Sequence, residues 1–115
     1  MTILAMVTAR LERAGYDVLT ATRGDDALRL ARERQPVLVV LDVEMPGSDG
    51  IAVTRALRND IGLADVPIVL LTSNSTPDAV EGGLVAGANA YVTKPFSPQE
   101  LEVAVDGLLG RLPGG

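Results

Sequence analysis

The stretch VLVVLDVEMPGSDG, residues 37–50, decides the fold. Residues 37–41 are apolar without alternation, the pattern of a strand buried on both faces of a parallel sheet. Asp42 stands at the carboxyl end of that strand, and Pro46, Gly47 and Gly50 break the chain into a loop. A second apolar run, 67–71, ends at Thr72, and a shorter one, 90–93, runs into Lys94. Between and around these runs the apolar spacing turns helical. Residues 3–14 place Ile3, Leu4, Val7, Leu11 and Ala14 on one stripe, with Gly15 as the stop. DVLTA (17–21) has the composition of a short strand. A second helix opens at Gly24, Asp25 and Asp26 and ends before Pro36. Helices over 50–59 and from Pro77 to near Gly87 follow. Ser97, Pro98 and Glu100 form the start signal of a last helix, whose buried face is Leu101, Ala104, Val105 and Leu108. Strands alternating with helices imply a parallel sheet covered on both faces.

The chain has 115 residues, enough for one domain, with 111–115 as a tail. Hydrophobic residues make up 47% and aromatics 3%, so aliphatic side chains must fill the core. The net charge of -5 argues against nucleic-acid binding through a basic face. There is no cysteine and no histidine, which removes disulfides, thiolate or imidazole metal sites and Ser-His-Asp catalysis. The lack of cysteine fits a reducing compartment, so a cytoplasmic location is expected. No apolar run approaches the roughly 20 residues that span a bilayer, and no signal peptide is evident.

In open parallel sheets, ligands bind beyond the carboxyl ends of the strands. Asp42, Thr72 and Lys94 all sit at such ends. Together they make a chemically coherent set. A carboxylate can act as a nucleophile toward an activated phosphoryl group. A neighbouring ammonium and a hydroxyl can then hold the added charge. Each residue alone reads as an ordinary cap or loop residue.

In order and separation, VLVVLDVEMPGSDG (37–50), PIVLLTS (67–73) and GANAYVTKPFSPQEL (87–101) resemble the receiver domains of two-component response regulators. LERAGYDVLTATRGDDAL (11–28) resembles the first helix, second strand and second helix of that family. The resemblance covers about residues 3–110. It implies a flavodoxin-like, doubly wound parallel sheet of order 2-1-3-4-5. It makes Asp42 the phosphoacceptor, Thr72 the switch hydroxyl, Tyr91 the switch aromatic and Lys94 the phosphoryl-binding lysine. Pro95 would follow a cis peptide bond. Glu44 would offer its backbone carbonyl to magnesium alongside Asp42, while its side chain and that of Asn74 would tune dephosphorylation. The implied partners are a histidine kinase and a downstream protein that reads the fourth helix, last strand and last helix, with no direct nucleic-acid or membrane contact.

The sequence departs from the family at its start. Receivers begin with an apolar strand ending in an acidic pair that binds magnesium. Here Ile3, Leu4 and Val7 are in helical phase with Leu11, and no acidic residue precedes Glu12. Asp25 and Asp26 fit a helix start instead. The expectation is therefore a receiver sheet without its first strand, with magnesium binding weakened or lost. Burying five apolar side chains of such a strand would contribute roughly 7–15 kcal/mol, comparable to the stability of a whole domain. Three explanations fit: a start site placed too late, which is favoured; a strand borrowed from another copy or a partner, including a homodimer; or a loosely folded, degenerate receiver.

The leading reading is thus a non-enzymatic phosphoacceptor module phosphorylated on Asp42. The alternative is a phosphorylation-independent interaction domain. An aspartate-nucleophile phosphohydrolase fits less well, since Glu44 stands where those enzymes carry a second Asp. No Gly-rich phosphate loop follows a strand.

Overall fold

The computed structural model describes residues 2–47 and 49–110. The tail expected at 111–115 therefore lies outside the described residues. The elements run α1 (Ile3–Arg13), α2 (Gly24–Arg34), β1 (Val39–Asp42), α3 (Gly50–Arg58), β2 (Ile68–Thr72), α4 (Pro77–Ala86), β3 (Ala90–Thr93) and α5 (Pro98–Leu108). The three strands form one parallel sheet in the order β1-β2-β3. This is the expected doubly wound architecture, with the sheet open on the outer side of β1.

Helix starts follow local chemistry. Thr2, Asp49, Thr76 and Ser97 each accept a backbone N–H from the first turn of the helix they precede. Ser97 and Glu100 complete a reciprocal capping box. α2 differs. Asp25 and Asp26 lie in its first turn, but Arg23 is the residue before it and offers no side-chain cap. Here the carboxylates favour the positive end of the helix dipole rather than capping it. The helix ends at Gln35, whose φ of 49° is left-handed.

The apolar stripes are used as the spacing predicts. One cluster joins Val7 and Leu11 of α1, Leu101 and Val105 of α5, and Val69 and Leu71 of β2. The opposite face of the sheet packs Ile68 and Leu70 against Ala31 of α2 and Val53 and Leu57 of α3. Every residue of β2 is buried, as the middle strand of three must be.

Three expectations fail in one region. DVLTA at 17–21 has no regular secondary structure and belongs to no strand. β1 starts at Val39 rather than Val37, and only Leu41 in it is fully buried. Ile3 and Leu4 are on the expected stripe of α1 yet remain exposed. The shared reason is a cleft of about 720 Å³ between α1, segment 17–22, α2 and β1. A strand is a strand only where a neighbour accepts its ladder, and segment 17–21 faces open space where that neighbour would lie.

Candidate functional site

Parallel register sets the site. Asp42 pairs with Leu71 across β1 and β2, and Thr72 pairs with Thr93 across β2 and β3. The strands therefore end at one rim. The Lys94 N–H donates to the Thr72 carbonyl at 2.7 Å, which holds the lysine backbone beside β2. From there its long stem reaches over β2, and Nζ lies 2.8 Å from Asp42 Oδ2. The Lys94 and Asp42 side chains are only 17% and 28% exposed, so the pair is partly withdrawn from water. The peptide bond between Lys94 and Pro95 is cis, as expected.

Thr72 is buried, with its hydroxyl at the same rim. It accepts the Asn74 N–H at 3.1 Å and donates to Glu44 Oε1 at 3.3 Å. Asp42, Thr72 and Lys94 thus converge, linked through Glu44. The Glu44 side chain is more engaged than its sequence position suggests. Its Oε1 also accepts the Ser73 N–H at 2.7 Å and the Ser73 hydroxyl at 2.6 Å, while Oε2 lies 3.8 Å from Lys94 Nζ. Burial alone would raise the pKa of this carboxyl. The two hydrogen bonds from Ser73 and the charge of Lys94 outweigh it and bring the value down to about 2. Glu44 is therefore an anion held by donors that could equally serve another anion. Ser73 was invisible as a site residue from sequence; a second hydroxyl directly after Thr72 was its only signal.

Tyr91 and Asn74 sit together. The Tyr91 hydroxyl donates to the Asn74 carbonyl at 2.7 Å, and the ring packs against the α3 side of the core. The Asn74 side chain accepts the Thr76 N–H and hydroxyl at 3.1 and 2.9 Å, so it shapes the turn before α4.

Magnesium demands near-octahedral oxygen ligation. Among the described residues no group of three or more carboxylates could hold a metal ion. Asp42 Oδ1 accepts the Glu44 N–H at 2.9 Å, and Oδ2 faces Lys94. Glu44 is committed to Ser73 and Thr72. These side chains do not fit a magnesium site.

A family model for the response regulator receiver domain matches residues 1–106. The chain belongs to this family. This receiver superposes on the chemotaxis response regulator CheY4 of Vibrio cholerae with a TM-score of 0.87 at 32% identity, covering 92% of this chain and 88% of that one. It is also similar to the receiver domain of sensor histidine kinase PA1611 from Pseudomonas aeruginosa PAO1, with a TM-score of 0.84 at 32% identity over 92% and 87% of the two chains. That structure is described with a magnesium ion coordinated in its active-site cleft. Among sequence relatives, the alkaline phosphatase synthesis transcriptional regulatory protein PhoP of Bacillus subtilis is 42% identical over 109 residues. The match covers 95% of the receiver but 45% of PhoP, so the chain spans less than half of that relative's length.

Proposed function

We propose that this receiver is a phosphoacceptor module of two-component signalling, phosphorylated on Asp42 by a histidine kinase. The observation that carries this reading is the 2.8 Å contact of Lys94 Nζ with Asp42 at a rim shared with the Thr72 hydroxyl. A carboxylate oxygen of Asp42 attacks phosphorus, the bond from phosphorus to the donor's imidazole nitrogen breaks, and the imidazole leaves. Lys94 then faces the added charge. Thr72 can donate to a phosphoryl oxygen once Glu44 releases it, and Tyr91 can follow. The module turns over no substrate of its own; its output is a downstream protein bound at the face of α4, β3 and α5. A cytoplasmic setting suits this role, and no described helix is long and apolar enough to cross a membrane.

A second reading is favoured by the donor set itself. With no magnesium site among the described residues and Glu44 already filling the anion contacts, the receiver acts as an interaction domain without phosphorylation. Incubation with a small acyl phosphate and magnesium, followed by intact mass, separates the two. Under the first reading the chain gains one phosphoryl group, and Asp42→Asn does not. We expect that gain to be severely slowed. If it never occurs, even with a histidine kinase as donor, the second reading stands.

A further inference from the structure

We propose that Gly83 is the residue that positions Tyr91: the side chain it lacks leaves a seat on α4 that the ring fills, and this fixes where the tyrosine hydroxyl rests. The proposal rests on the reading of Tyr91 as the switch aromatic for its meaning, but the seat itself is measured without phosphoryl transfer.

α4 carries two adjacent glycines, Gly82 and Gly83, within its ten residues. Inside a helix, each glycine lowers the folding constant about two- to fivefold relative to alanine. A left-handed backbone would justify that cost, but the described glycines with positive φ are Gly15, Gly47, Gly87 and Gly110. Space separates the two helix glycines. A Cβ on Gly82 would meet nothing within 4 Å. A Cβ on Gly83 would lie 2.9 and 3.0 Å from Cε2 and Cδ2 of Tyr91, and 3.1 Å from Cδ1 of Leu70. Carbon atoms ordinarily stand about 3.5–4.0 Å apart. Leu70 Cδ1 ends a side chain that can turn. The Tyr91 edge belongs to a rigid ring, whose hydroxyl is tied to the Asn74 carbonyl at 2.7 Å.

A methyl group at position 83 would therefore lift the ring from α4 and draw the hydroxyl off that carbonyl. The ring gives way before the helix does. Tyr91 is half-buried and has water to move into, whereas α4 is pinned one turn further on. There the Gly87 carbonyl accepts Nε and Nη2 of Arg58 at 3.0 and 2.8 Å. The seat also connects the rim to α4. Asn74, which receives the tyrosine hydroxyl, donates its own N–H to Thr72 Oγ1 at 3.1 Å. Thr72, Asn74, Tyr91 and Gly83 form one chain of contacts, and the residue at position 83 decides where its aromatic link stands beside α4.

The test labels both tyrosines of the full chain, Tyr16 and Tyr91, with fluorotyrosine and follows them by fluorine NMR, the signals assigned by Tyr16→Phe and Tyr91→Phe. Folding constants come from urea unfolding. Gly82→Ala should raise the folding constant about two- to fivefold and leave both signals in place. Gly83→Ala should lower it by about threefold or more, as overfilling a packed site does. It should also move the Tyr91 signal while that of Tyr16 stays. In a Tyr91→Ala chain, Gly83→Ala should instead raise the constant, as the change at Gly82 does. If Gly83→Ala does not fold, refolding on adding Tyr91→Ala supports the seat, and failure to refold overturns it. A folded Gly83→Ala chain with an unmoved Tyr91 signal overturns it as well. So do a Gly82→Ala chain that moves that signal equally, an equal loss of stability with and without the Tyr91 ring, and an unsubstituted chain whose two signals match those in urea. No phosphoryl donor is present, so none of these outcomes depends on whether Asp42 accepts a phosphoryl group.

Discussion

Glu44 shows how one side chain can hold a site in a particular charge state. Its carboxyl titrates at about 2, well below the ordinary 4.5. A lowered folded-state pKa adds stability that is present above the unfolded value and is lost as pH falls through the folded one. The window is therefore pH 4.5 down to about 2. The side chain is 42% exposed, so water screens the interaction and the contribution is held to about 1 kcal/mol. Urea unfolding of the receiver and of Glu44→Gln should differ by about that amount at neutral pH. The gap should close as pH falls through the window; a constant gap would mean that the carboxylate charge is not the cause. Arg58 is a second residue whose role only the structure reveals. It donates to the carbonyls of Gly87, Ala64 and Val66 and to Asn89 Oδ1, at 2.8–3.1 Å. Lysine cannot reproduce that fork, so Arg58→Lys should cost about 2 kcal/mol in chemical unfolding. From sequence, Asp42, Thr72 and Lys94 were legible because each ends an apolar run. Ser73 and Arg58 were not, since hydroxyls and arginines at such positions are usually solvated.

At the level of elements, the clearest sequence signals were punctuation. Ser97, Pro98 and Glu100 announced α5, and the capping box forms as read. Removing it by Ser97→Ala should cost about 1 kcal/mol, measured as a lower urea midpoint with an unchanged slope. The misjudged element was 17–21. Its composition suits a strand, but composition reports only what a pleated, half-buried surface would accept. Pairing is a property of two segments, and no period within one of them can show whether the other is in place. The same limit explains Val37 and Leu38, which read as strand and yet precede β1. Native-state amide exchange should accordingly be fast across residues 17–22 and slowest in β2, where every residue is buried. Strong protection of 17–22 in the isolated chain would contradict the open cleft.

Across the whole molecule, the two sides of the sheet differ in what holds them together. α2 and α3 pack around a core that includes Leu41, Leu57 and Ile68, close to one another in sequence. On the other side, α1 depends on α5, from the far end of the chain. Arg10 pairs with Glu102 at 2.5 Å, and the Tyr16 hydroxyl donates to the buried Asp106 at 2.7 Å. Asp106 was not foreseen as buried, because a charge one place off an apolar stripe reads as solvated. Tyr16→Phe would strip the donor from that carboxylate and should cost about 1–3 kcal/mol by thermal or urea unfolding.

The reliance of α1 on α5 carries a consequence for biosynthesis. A ribosome delivers the first helix long before the last, so Val7 and Leu11 must wait for their partners Leu101 and Val105 while some ninety residues emerge behind them. Through that interval the nascent chain presents a sticky amphipathic segment, a natural stop for a chaperone, and this side of the sheet can close only once α5 has left the tunnel.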